Sequence, residues 1–578
     1  MGENTVAYRA PVEDFAFLFR HVVGFDRVTD TGLFAEAAGE VSEAILSEAG
    51  RMCEEILAPL QRAGDLNPAV LKDGRVRCSP GFAEGYAAIA EGGWIGMAAS
   101  PEYGGMGLPM ALLTAVNEMM SGACLALQLN PLMSQGQIEA LEHHASERIK
   151  ALYLPRLISG EWCGTMNLTE PQAGSDVGAL ATTATDNGDG SFSISGQKIF
   201  ISWADNDFSE NVCHLVLARL PGSPPGTRGI SLFMVPRNIP DENGAPGRAN
   251  NLGVVSLEHK MGLHASPTAV VQYDGATGWM IGEPDAGMKA MFTMMNNARL
   301  GVGVQGIGAA EGAWQQALTY ARERRQGRSL IANGSGAIVD HADVRRMLLT
   351  MRASIFAARA IALSCAIATD MARATGNGDW QARAALLTPI AKAYGTDVGI
   401  AVASEAIQVH GGMGYIEETG VAQFLRDVRV TAIYEGTNGI QAMDLVGRKM
   451  MDGGEAACRL LEEIEKHAEN ARAAFPAMSE AVWSAAETLR ETTEWLVAQD
   501  QLNERFAGAV PYLRAFALVL GGDAHLRAAT AAGPQGPRAH LARFFIGRLL
   551  PEHAAHLAHA RAGAEGLYAI AADDLAVL

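Results

Sequence analysis

Residues 431–441 read TAIYEGTNGIQ and set one carboxylate, Glu435, between an aromatic run and a glycine-containing turn near the end of a long helical stretch. A carboxylate that removes a proton from carbon needs a mounting that can be aimed, and Gly436 gives the backbone a freedom that an ordinary helix position lacks. Taken alone, Glu435 reads first as a solvated loop residue, because glutamate is rarely buried, and only the rest of the chain turns that reading. A second segment, MNLTEPQAGSDVGAL at 166–180, contains a Pro171–Gly174 turn whose backbone N–H groups suit phosphate or carbonyl oxygens. RERRQGRS at 322–329 gathers guanidinium groups, whose planar forks suit phosphate, and IQVHGGMGY at 407–415 offers small residues that let a backbone approach closely. His264 and His410 lie in such turns and read as packing or capping residues, without a chemical role.

The elements that must position these groups follow from periodicity. From about 35 to 160 the apolar residues recur at helical spacing, as in EVSEAILSEAGRMCEEIL, which predicts a helical N-terminal domain. Between 161 and 282 the period becomes two, in SFSISGQKIFIS, HLVLARL and GISLFMVP, and predicts a β-domain. The helical period returns over roughly 285–325, 341–375 and 381–409, lengths that suit a four-helix bundle, with the methionines of KAMFTMMNN in its core. Residues 451–578 carry further amphipathic helices. The expected division is 1–160, with a lead segment, then 161–282, 283–450 and 451–578.

Composition narrows the partners. The net charge of -19 argues against nucleic acid and anionic membranes, both of which require clustered positive charge. The last region, with 11 basic and 17 acidic residues, lacks a basic stripe for a membrane surface. Seven cysteines scattered from Cys53 to Cys458, with no CxxC pair, suggest neither a disulfide framework nor a zinc site, so no metal is expected. The first residues lack a signal peptide, Val6 occupies the position where a myristoylation signal wants Ser or Thr, and no run approaches about 18 apolar residues. A cytoplasmic setting without membrane contact is expected.

Taken in order, MNLTEPQAGSDVGAL, KIFIS at 198–202, EHKMGLHASPT at 258–268, RERRQGRS, IQVHGGMGY and TAIYEGTNGIQ resemble the acyl-CoA dehydrogenases over about residues 40–450. The resemblance implies an α+β fold: a helical N-terminal domain, a middle β-domain and a C-terminal four-helix bundle, here with an extra C-terminal helical domain. Dehydrogenating a thioester needs a base for the α-proton and an acceptor for the β-hydride. No side chain accepts a hydride, so FAD is implied as cofactor. Glu435 matches the family's base. The family's alternative mounting, on the bundle helix before an arginine, holds Ala298 here.

By the same resemblance, Met166, Asn167, Leu168 and Thr169 bind the flavin ring, and Gly174 and Ser175 lie beside pyrophosphate and substrate. Phe200 and Ser202 flank the flavin where the family usually has Trp and Thr. Arg324 reaches the FAD pyrophosphate of a neighbouring subunit, Gln408, Gly411 and Gly412 touch that same FAD, and Thr437 continues the site, all of which imply a homodimer. RRQGRS lacks the aromatic residue that often follows. Arg299 matches an arginine at the nucleotide end of CoA, and Asn296 stands where an acidic residue is common.

An electron-transfer flavoprotein is the implied electron acceptor. Chain length, the APVEDFAFLF lead, RRQGRS and EGTNGIQAMDLVGRK point within the family to the branch acting on 3-methylmercaptopropionyl-CoA, a short methylthio thioester of dimethylsulfoniopropionate catabolism. An acyl-CoA oxidase would share these motifs. A flavin-containing DNA-binding protein on this fold would need a basic surface.

Overall fold

The computed structural model describes residues 8–331 and 333–577; Val6 and Leu578 lie outside the described residues. The chain forms two compact units, one from residues up to Ser47, Met110–Glu118 and Arg299 onward, the other from Glu48–Pro109 and Met119–Ala298. Three of the four cuts fall inside helices, Glu40–Met52, Met110–His144 and Gly287–Glu323.

The second unit is built on a seven-stranded sheet. Its path runs Trp162–Asn167, Asn211–Ala218, Ser231–Pro236, Thr268–Ile281, Phe192–Ser202 and Thr183–Asp186, and Leu252–Leu257 also pairs with Thr268–Ile281. Trp162–Asn167 and Asn211–Ala218 run parallel. Asn211–Ala218 and Ser231–Pro236 are buried along their whole length, as central strands with both faces covered must be. The long strand Thr268–Ile281 serves three neighbours by shifting register between Ala269 and Val271 and between Asp274 and Ala276. Ile194, Ile201, Val216, Phe233, Val271 and Tyr273 form part of the core.

The N-terminal region is not wholly helical. Val70–Lys72 pairs antiparallel with Arg75–Arg77 through Asp73 and Gly74, at φ 52° and 73°. The sequence VLKDGRVR holds the reason: Asp-Gly tolerates two successive left-handed residues and so closes a two-residue hairpin.

The first unit is helical. Gly287–Glu323, Ala342–Thr375 and Gly378–His410 match the three long periodic stretches. The first and third press backbone to backbone at glycines: a Cβ on Gly303 would lie 2.6 Å from the Ala391 oxygen, and one on Gly395 2.5 Å from the Gly303 oxygen. Beyond the bundle, Glu455–Ala471, Pro476–Val497, Ala509–Ala532, Pro537–Arg548 and Glu552–Arg561 form the added helical region. Arg514 of that region pairs with Asp397 at 3.2 Å, and Arg538 pairs with Asp14 of the lead helix Val12–His21 at 2.7 Å.

Two helices, Met110–His144 and Ala342–Thr375, are long and apolar enough to cross a membrane, which corrects the expectation that none would be. Of their most apolar windows, 94% and 83% respectively is buried in the protein, so core packing accounts for their hydropathy.

Candidate active site

Glu435 sits where the fourth bundle helix is broken. Val421–Val428 gives way to a 3-10 turn at Arg429–Ala432, and the helix resumes only at Asn438–Asp444, capped by Thr437, whose hydroxyl accepts from the Ile440 N–H at 3.3 Å. Between them the chain passes through two left-handed residues, Glu435 at φ 55° and Gly436 at φ 83°. Glycine takes this conformation freely, but for Glu435 it carries strain. The strap is held on both sides: the Tyr434 hydroxyl donates to Gln305 Oε1 at 2.5 Å, and Gln441 Nε2 donates to the Glu435 carbonyl at 3.0 Å.

Part of the Glu435 side chain stays accessible, yet burial pushes its carboxyl up to about 7, against the pull of Arg299 and Lys392. A carboxylate poised there is matched to proton abstraction near neutrality. Since kcat/KM reports ionisations of the free enzyme, it is expected to rise with pH through about 7 as Glu435 loses its proton. An acidic limb at the ordinary glutamate value of 4.5 would contradict this.

Arg299, expected at the nucleotide end of CoA, is enclosed beside Asp444. It is 5% exposed, lies 3.6 Å from Asp444, and faces Glu435 electrostatically. So placed, its charge pulls the Glu435 carboxyl down against the effect of burial. Arg448 also pairs with Asp444, at 2.6 Å.

In the same unit, Arg324 is exposed and its guanidinium makes no hydrogen bond or ion pair among the described residues. Gln408, Gly411, Gly412 and Thr437 are exposed as well, and a Cβ on Gly411 or Gly412 would meet nothing within 4 Å. His410 stacks on Tyr320 at 4.2 Å and bonds the Ala406 carbonyl at 2.7 Å, a packing role.

The other unit holds the remaining candidates. His264 lies 2.8 Å from Asp65. Met166 and Asn167 end the strand Trp162–Asn167, and Leu168 and Thr169 turn out of it toward Phe192–Ser202, where the Ile199 N–H donates to the Thr169 carbonyl at 2.9 Å. Phe200, at φ 59°, is 58% exposed on that strand. The hydroxyls of Thr169, Ser175 and Ser202 have no partner among the described residues. Gly174 is open to space at its Cβ position, and Asn296 is exposed.

Two residues absent from the sequence reading anchor this region. Lys198, fully buried, donates to the Leu168 carbonyl at 3.0 Å and to Glu170 Oε1 at 2.8 Å. Glu170 in turn accepts from the Ala181 N–H at 2.7 Å and the Thr182 hydroxyl at 2.5 Å. A charged pair in this setting locks the turn, since either member alone would be a buried unpaired charge. The signal was present in KIFIS, where a lysine stands inside the strand Phe192–Ser202 directly before its apolar run.

Residues 40–161, 165–276 and 285–451 match the N-terminal, middle and C-terminal domains of acyl-CoA dehydrogenase, and 460–571 match an acetyl-CoA dehydrogenase C-terminal-like domain. The 3-methylmercaptopropionyl-CoA dehydrogenase of Ruegeria pomeroyi is 44% identical over 520 residues, 88% of each chain. Among solved structures, Caenorhabditis elegans ACDH-11 in complex with C11-CoA aligns with a TM-score of 0.81 at 21% identity, covering 95% of this chain and 93% of that one. An acyl-CoA dehydrogenase from Bacillus anthracis complexed with FAD aligns with a TM-score of 0.72 at 20% identity, covering 96% and 92%.

Proposed function

Because the chain belongs to the acyl-CoA dehydrogenase family, and is an oxidoreductase of acyl-CoA thioesters, we propose that it converts 3-methylmercaptopropionyl-CoA to 3-methylthioacryloyl-CoA in dimethylsulfoniopropionate catabolism. Glu435 is the base. The observation that carries this reading is its left-handed mounting in the helix break, with a carboxyl poised at about 7. The 44% identity to the Ruegeria pomeroyi enzyme, at almost full coverage, supports the substrate.

The residues fit FAD as cofactor. The exposed Phe200 ring beside the Leu168–Thr169 turn offers a face for a planar ring, and the unpartnered hydroxyls of Thr169, Ser175 and Ser202 offer polar contacts at its rim. Met166 and Gly174 complete that set. When bound, FAD supplies the hydride acceptor that no side chain provides. The unpaired Arg324 guanidinium and the open backbone at Gln408, Gly411 and Gly412, with Thr437, suit the pyrophosphate of a partner subunit's FAD in a homodimer.

Within this chain, Glu435 takes the α-proton at its carboxylate, and its own strap keeps that group aimed. Ser175 and Asn296 contact the acyl-CoA. Arg299 stays with Glu435, where its charge favours the ionised base. Electrons pass onward to an electron-transfer flavoprotein, in a cytoplasmic setting. Four domains, 1–160, 161–282, 283–450 and 451–578, carry these roles, and the family matches at 40–161, 165–276, 285–451 and 460–571 support that division.

Steady-state rates on a panel of acyl-CoA thioesters test the substrate. A methylthio group is about as large as an ethyl, and one methylene in an apolar pocket discriminates by only about 1–3 kcal/mol. Butyryl-CoA and valeryl-CoA are therefore expected to turn over with reduced efficiency, and palmitoyl-CoA to fail. Palmitoyl-CoA as the best substrate would overturn the substrate while leaving the dehydrogenase in place. Stoichiometric hydrogen peroxide formed in air at the full turnover rate would replace dehydrogenase by oxidase.

A further inference from the structure

The strap that carries Glu435 is held by a residue of another helix. Lys392, on Gly378–His410, is fully buried, and among the described residues its ammonium has no carboxylate within ion-pair distance. It donates instead to the Gly436 carbonyl at 2.8 Å and to Asn438 Oδ1 at 2.9 Å. A buried ammonium without a close counter-ion is costly, so these neutral acceptors matter.

Asn438 is oriented to receive the bond: its amide N–H groups donate to Asp397 Oδ1 at 2.7 Å and Thr396 Oγ1 at 3.0 Å, which leaves its carbonyl turned to Lys392. Together with the bond from Gln441 to the Glu435 carbonyl, both peptide carbonyls that follow the two left-handed residues are held. A strained conformation persists only where its surroundings over-determine it. Lys392 supplies that constraint from 43 positions away in the chain.

Resting on the reading of Glu435 as the base, we propose that Lys392 is a positioning residue. It clamps the Gly436 carbonyl and the Asn438 side chain, keeps the Glu435 carboxylate aimed, and favours its ionised form. The charged groups acting on Glu435 are Arg299 from Gly287–Glu323 and Lys392 from Gly378–His410, with Tyr434 beside it. Those acting on Lys392 are Glu435, Asp397 and Arg299, while Asp444 and Arg448 face Arg299. Burial lowers the Lys392 ammonium to about 8, which leaves it charged at neutral pH.

The test compares holoenzymes of Lys392→Met, Asn438→Ala and Glu435→Gln, by kcat and KM on butyryl-CoA with an artificial electron acceptor and by the pH profile of kcat/KM. Lys392→Met is expected to lower kcat by about 30-fold or more with KM within about 3-fold, the pattern of a misaimed base. With the cation gone, the acidic limb moves to higher pH by about one unit. Asn438→Ala removes one clamp but keeps the cation, so kcat falls by about 3- to 10-fold and the limb stays in place.

Wild-type kcat and an unmoved limb in Lys392→Met would overturn the inference. Should Lys392→Met fail to fold, Asn438→Ala decides: a wild-type kcat rejects the clamp, and a reduced kcat with unchanged KM upholds it. Glu435→Gln separates the two levels. If it is inactive while both other variants behave as wild type, only the role of Lys392 falls; if it keeps the wild-type rate, the base itself is wrong.

Discussion

Glu435→Gln is expected to stay yellow and to bind acyl-CoA while flavin bleaching by substrate slows by about 10³-fold or more, the scale of losing a positioned general base together with its orientation. The substitution keeps the shape and the backbone. It removes the one group of the strap able to take a proton near neutrality. The neighbours cannot take over, because Arg299 and Lys392 are cations and burial drives the Tyr434 hydroxyl well above its usual range. Stopped-flow reduction at close to the wild-type rate would remove Glu435 from the chemistry.

Arg359→Met is expected to destabilise the protein by about 3–5 kcal/mol, the usual cost of breaking a buried ion network from one side. Arg359 is 0% exposed and bonds Glu118 at 2.5 Å, Asp14 at 3.0 Å and Glu311 at 2.7 Å. Arg352 and Arg538 complete the cluster, Arg352 bonding Glu311 at 2.9 Å and Asp14 more closely still. Methionine fills the volume but leaves three carboxylates short of a cation.

Burial alone would raise the Asp14 carboxyl, yet the three arginines hold it at about 2 against its ordinary 3.8. Its folded value is depressed, so its stabilisation is present above about 3.8 and is lost as pH falls through about 2. Burial raises Glu118 to about 7, with Arg359 opposing, so the loss of Arg359 strengthens the tendency of Glu118 to protonate. Chemical denaturation at pH 7 is the measurement, and a midpoint equal to wild type would show that the network adds nothing to stability.

Much of this protein was legible in its sequence because periodicity is local. The changes from helical to alternating and back to helical spacing correspond to real elements, and the three long bundle helices fall within a few residues of the periodic stretches. The Asp73–Gly74 hairpin was equally legible from its turn residues, but the helical spacing on either side of it dominated the reading. Glu435 stood out in the sequence because Gly436 follows it, and in the fold Glu435 itself takes the left-handed conformation.

What the sequence could not determine is which distant groups surround these residues. Lys392 and Gly436 are 44 positions apart, Lys198 and Leu168 are 30, and Arg359 and Asp14 are 345. No periodicity or motif encodes a partner at such separation, and a lysine in an apolar helix reads as an exposed interruption until the helix is packed. Arg299 shows the same limit. Its position in a motif suggested a ligand contact, and only the fold shows that it is enclosed beside Asp444 with its charge acting on Glu435. Residue type and spacing determined which groups could do chemistry; burial and long-range contact, which exist only in the folded chain, decided their ionisation and their aim.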